Sequence, residues 1–218
     1  MRIKKISIQS GKVQELREFY QSLLELPIEE EGSNCNVHVG DSTLHIERAT
    51  TGEPFYHFAI NIPSHKIEEA REWLKQRVKL LWMEDYKSDI ADFVNWHAKS
   101  VYFFDPAGNI VELIARFDLR NEIDEPFSSK QFLSISEIGI VLPENDIEKD
   151  TEEILKQSYL GYFLKQTPMK QFKVVGDDEG LFIIVTENRN WYPTSIPSKI
   201  FPLEIVFETE RGLEVLRY

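Results

Sequence analysis

FDPAGNIVELIAR, residues 104–116, sets a turn built on Asp105-Pro106-Ala107-Gly108-Asn109 against an apolar strand that carries one acid, Glu112, at its centre. Alternation along a strand sends Ile110 and Glu112 to one face and Val111 and Leu113 to the other, so the carboxylate lies on a face that could otherwise be core. An unpaired charge there is costly. A metal ion, a cationic partner or a wet cavity would each account for it.

The chain around this stretch has 218 residues, 42% of them hydrophobic and 12% aromatic, enough to bury one large core or two small ones. It carries 25 basic against 37 acidic residues, a formal net charge of −12, which disfavours nucleic acid and anionic membranes as partners and points to a small molecule. A single cysteine, Cys35, excludes an intrachain disulfide framework. No apolar run approaches the roughly 18 residues of a membrane span, and MRIKKISIQS lacks the apolar centre of a signal peptide, so a cytoplasmic protein is expected.

Read outward, the chain repeats one order of elements. A strand at 3–9 leads into a helix whose face is Val13, Leu16, Phe19, Tyr20, Leu23 and Leu24, ended by Pro27. Short strands near 28–30, 35–39 and 43–47 follow, with turn signals at Gly32-Ser33 and Gly40-Asp41. A second pass has a strand at 55–62, Ser64 as N-cap, a helix with Ile67, Ala70 and Leu74 inward, and strands near 78–83, 98–104 and 109–115. Residues 84–96 read as a loop over a cavity mouth.

After a charged linker at 118–131, a third pass begins at 132–142. Asn145 or Asp146 caps its helix, which runs to about Tyr159, and strands near 171–175 and 181–186 follow. A fourth pass shows a strand at 203–208 and a helical turn at 210–216. The expected fold is α+β, with βαβββ modules forming cupped mixed sheets: three modules and a truncated fourth. The expected division is 1–117 as a pair of modules closing one cup, and 132–218 as the third module with the partial fourth, a scaffold or dimer-forming half.

The FDPAGNIVEL segment and the repeated βαβββ order resemble the vicinal oxygen chelate superfamily, which includes glyoxalase I, bleomycin and fosfomycin resistance proteins and extradiol dioxygenases. In that family metal ligands come from the first and last strands of paired modules. By resemblance those positions fall on Lys5 and His45 in the first unit and on His57 and Glu112 in the second. His45, His57 and Glu112 would then form a first shell for Fe(II), Mn(II), Ni(II) or Zn(II), open to a substrate with neighbouring oxygens. Lys5, which has no lone pair when protonated, would sit beside the substrate as an acid or anion anchor, or pair with Glu112 in the ion's place.

In the third unit the same positions fall on Glu137 and Ile183, and Glu137 reads as a structural or solvated acid. His97, just ahead of the motif strand, is a candidate proton carrier or a rim histidine. Trp82, Phe93, Trp96 and Tyr102 are candidates to line an aromatic pocket. The function so implied is metal-dependent chemistry of glyoxalase or dioxygenase type. The alternative is a metal-free cup that binds an antibiotic or aromatic metabolite.

Overall fold

The computed structural model describes residues 1–218 and contains two mixed sheets. The first unit runs β1 (Arg2–Ser10), α1 (Val13–Glu18), β2 (Ile28–Glu31), β3 (Asn34–Val39) and β4 (Ser42–Arg48), with a π-helical segment Phe19–Leu23 extending α1. The second runs β5 (His57–Ile62), α2 (Ile67–Lys75), β6 (Ala91–Phe93), β7 (Ala98–Phe104) and β8 (Ile110–Arg116). The third runs β9 (Ser134–Leu142), α3 (Ile147–Ser158), β10 (Phe172–Asp177) and β11 (Gly180–Thr186), and a fourth unit is represented by β12 (Glu204–Thr209) and β13 (Gly212–Arg217). No helix is long and apolar enough to cross a membrane.

The sheet orders are β13-β12-β1-β4-β3-β2 and β10-β11-β9-β5-β8-β7-β6. The pairing expected within 1–117 is therefore replaced by another: β5 pairs antiparallel with β9, so the second unit shares a sheet with the third, while β1 pairs antiparallel with β12, so the first shares a sheet with the fourth. The first strand of a βαβββ unit lies at the unit's edge and can accept any equivalent strand. The choice is made by long-range packing, to which local periodicity is blind.

One core holds the two sheets together. Ile6, Leu44, Ile60, Val111, Leu113 and Ile138 belong to it, and Phe182 of the second sheet meets Phe207 of the first edge-to-face at 5.1 Å. The odd-numbered residues of β8 enter this core, as alternation requires. Its even-numbered face turns to a smaller cluster that includes Tyr102, Ile110, Leu181, Ile183 and Trp191.

Three local expectations are corrected. Residues 78–83 form no strand and contribute only isolated bridges, Leu80 to Phe103 and Met83 to Ser88, while β6 forms inside the stretch expected to be loop. The expected helical turn at 210–216 is β13, which makes a hairpin with β12 around Gly212 at φ 114°. Ser64 is buried but does not cap α2, whose N-cap is Lys66.

Candidate active site

The DPAGN turn is fixed by its own side chains. Asp105 accepts from the backbone N–H groups of Ala107 and Asn109, each at 3.0 Å, from Asn109 Nδ2 at 2.7 Å and from the Tyr20 hydroxyl at 2.8 Å. Asn109 in turn accepts from the Tyr56 N–H at 2.8 Å, which ties the turn to the strand carrying His57. The turn thereby sets the register in which His57 faces Ile110 and Ala59 faces Glu112.

Across the middle of the second sheet one row of neighbours reads Leu181, Glu137, Ala59, Glu112, Tyr102. The two acids flank a fully buried alanine, which packs with Ala98 and Ile114. Two residues along β5, on the same face as Ala59, His57 reaches toward them with Nε2 3.6 Å from Glu112 Oε2. One ligand atom from each of His57, Glu112 and Glu137 falls within a span of 4.8 Å, and all three residues are buried. His57 Nδ1 lies 3.1 Å from the Ile110 carbonyl, which it can reach only as a donor, so Nε2 keeps its lone pair.

Burial decides the charges. Desolvation pulls the His57 imidazole down to about 4, so it is neutral across the physiological range. Desolvation, and then the nearby Glu137 charge, push the Glu112 carboxyl up into and beyond the neutral range, with Arg116 opposing. Glu137 is raised too, by desolvation, but Arg116 Nη2 donates directly to its Oε1. Arg116 is fully buried on the same face of β8 as Glu112 and also sits 3.6 Å from Asp178. Beside Glu112, the Tyr102 phenol is held well above its ordinary value by burial and then by the Glu112 and Glu137 charges, so it stays a donor.

The cluster opens into a cavity of about 240 Å³ walled by Phe93, Trp96, Tyr102, Phe172, Trp191 and Tyr192, with Gln166, Ile183 and Arg189 completing its lining. Trp191 comes from the segment between β11 and β12. Its ring packs 5.3 Å from that of His57 and lies against Gly139, where a Cβ would stand 2.5 Å from a ring carbon. A larger groove of about 830 Å³ runs past Met1, Asp177 and Arg211, but it holds no comparable set of donor atoms and is open to solvent.

Of the residues singled out from sequence, His57 and Glu112 are brought together and His45 is not. His45 lies on β4 in the other sheet, with Nδ1 2.7 Å from Asn36 Oδ1 and Nε2 3.5 Å from Glu47. Lys5 is on β1 of that same sheet, opposite Thr43. Both were placed by pairing the first unit with the second, and the strand order separates them from Glu112. His97 is an exposed residue at φ 51° that pairs with Asp118 at 2.9 Å, outside the cavity lining. Phe93, Trp96 and Tyr102 do line the cavity, whereas Trp82 is exposed.

The residue that sequence reasoning passed over is Glu137. Its signal was available: an acid inside the apolar strand SEIGIVL, at the position equivalent to His57 in the preceding unit. The fourth equivalent position, Ile183, offers no donor.

No family model matches this sequence, and no curated protein does. Solved structures do match. A Bacillus subtilis protein with a provisional dioxygenase name aligns over 100% of this chain and 84% of its own, with a TM-score of 0.59 and 12% identity. The V278E mutant of glyoxalase I from Zea mays aligns over 91% of this chain and 70% of its own, with a TM-score of 0.56 and 13% identity. At such identities the likeness is one of fold. The chain shares the repeated βαβββ fold of these two structures.

Proposed function

We propose that the chain is a metal-dependent enzyme of glyoxalase or dioxygenase type, with His57, Glu112 and Glu137 holding a divalent ion at the floor of the aromatic cavity. The supporting observation is the convergence of three buried donor residues from three strands within 4.8 Å, two of them acids of which Arg116 pairs directly only with Glu137. Imidazole and carboxylate donors suit Fe(II), Mn(II), Ni(II) or Zn(II). The ion, when bound, supplies Lewis-acid stabilisation to negative charge developing on neighbouring oxygens of a small substrate.

The chain's own residues prepare the site. His57 presents a neutral Nε2 because its other nitrogen is committed to Ile110. Glu112 gives up its proton when a cation arrives, so metal uptake releases protons near neutral pH. Arg116 holds Glu137 in place through one oxygen and leaves the other free. Trp191 and Tyr102 wall the ring-sized space above and limit water there.

A second reading has one observation behind it. Arg116 already neutralises Glu137, and Ile183 stands at the fourth position, as in a cup that binds a small molecule without metal. Equilibrium dialysis of chelator-stripped protein against Mn(II), Ni(II) and Zn(II) separates the two. One ion per chain, lost in both Glu112→Gln and Glu137→Gln, is expected; no uptake by the wild-type chain favours the metal-free cup.

A further inference from the structure

The cavity contains one cation that nothing in the protein answers. Arg189 lines it from the segment after β11, with its guanidinium 4.8 Å from the centre of the Phe172 ring. Its only polar contact is a long one, Nη1 to the adjacent Asn190 carbonyl at 3.4 Å. No carboxylate pairs with it, although acids outnumber bases in this chain by 37 to 25. The other arginine near the cavity, Arg116, is spent on Glu137 and Asp178.

A second polar group is also unclaimed: the Tyr192 hydroxyl is buried and has no hydrogen-bond partner, and Tyr192 lines the same cavity. A buried donor left unpaired is costly, and a ligand oxygen would recover that cost. The walls set the ligand's shape. Tyr192 stands edge-on to Tyr102 at 5.7 Å and to Phe93 at 5.9 Å, while Trp191 closes over His57, so the space between is flat-sided and apolar. Its 240 Å³ lies below the roughly 300–1,000 Å³ of pockets that hold drug-sized ligands, which limits the occupant to about one ring.

We infer that the ligand of this cavity is a single-ring aromatic carboxylate, its ring between the aromatic walls and its carboxylate on Arg189, with the Tyr192 hydroxyl donating to a ligand oxygen. A planar guanidinium held over the Phe172 ring offers a fork for a carboxylate. The inference names a substrate class for the site proposed above and rests on that reading only for what is done to the ligand, since Arg189 is not among the three metal-binding residues.

Trp96 and Trp191 line the cavity, so their fluorescence reports binding directly. Benzoate and the neutral, nearly isosteric benzamide are titrated into full-length protein in EDTA, which removes metal as a benzoate ligand. Benzoate is expected to bind at least tenfold more tightly than benzamide, a difference of about 1.4 kcal/mol. Arg189→Gln should bring the ratio close to one with benzamide affinity kept, and Arg189→Lys should retain much of the preference. Equal affinity for the two probes, no binding of either up to about 10 mM, or an unchanged preference in a folded Arg189→Gln protein overturns the inference. Failure of metal uptake with the benzoate preference intact would overturn the metal reading and leave this one standing.

Discussion

Glu112→Gln separates the stability of this protein from its proposed chemistry. Glutamine has nearly the volume of a protonated glutamic acid and stays neutral at every pH, so it imitates the form that burial favours. In the folded protein the Glu112 carboxyl is raised above its unfolded value, chiefly by desolvation and next by the Glu137 charge. A carboxyl raised in this way contributes fully below about pH 4, and its contribution is lost as the pH climbs toward the folded value. Between the unfolded pKa of about 4.3 and pH 7 that loss accumulates at about 1.4 kcal/mol per unit, an upper limit of roughly 4 kcal/mol before the site relaxes.

Glutamine has no such loss. In EDTA at pH 7 the variant should therefore be more stable than wild type by about 1–4 kcal/mol, and the two should converge near pH 4. Added Mn(II) or Zn(II) at about a hundred times its dissociation constant should stabilise wild type by about 2.7 kcal/mol and the variant by much less. Urea unfolding followed by tryptophan fluorescence, run from pH 4 to 8 with and without metal, reads all of this. A variant less stable than wild type at pH 7 without metal would mean that Glu112 is ionised and well paired, and the electrostatic reasoning would fail.

Three further outcomes follow from the same geometry. Burial lowers His57 from 6.5 to about 4, so the unfolded chain takes up the proton first; the His57 contribution should fall by about 3 kcal/mol as pH drops from 6.5 to 4, opposing the Glu112 gain over the same range, and the difference between His57→Gln and wild type isolates it. Arg116→Met leaves Glu137 buried without its partner and should cost about 3–5 kcal/mol in chemical denaturation, part of it regained on adding metal. Gly139→Ala places a methyl carbon 2.5 Å from the Trp191 ring; about 1–3 kcal/mol of lost stability and a red-shifted tryptophan emission are expected, and unchanged emission would show that the ring does not rest there.

What could be read from the sequence was whatever one βαβββ unit decides within itself. The DPAGN turn is specified by Asp105 and Asn109 a few residues apart, and it fixes the register of β8 against β5. The His57–Glu112 pair was therefore legible, as were the helices and most strands. Partnership between units was not. β5 offers one edge to β8 and the other to whichever strand packs best, and the pattern of SEIGIVL matches that edge no better than KKISIQS does. Choosing the wrong neighbour brought in His45 and Lys5 and left out Glu137.

Smaller errors share a cause. GLEVLR is too short for period to distinguish a strand from a helical turn, and the hairpin with β12 decided it. Arg189 and Trp191 lie in a connection with no periodicity, so only the fold could show that they reach the cavity.

The most direct test is the position of a bound ion. In crystals of this protein equilibrated with Mn(II), anomalous scattering should place one strong peak among His57 Nε2, Glu112 and Glu137, at about 2.0–2.3 Å from each ligand atom. A peak beside His45 and Glu47 on the other sheet, or none within reach of the three buried residues, would contradict the account.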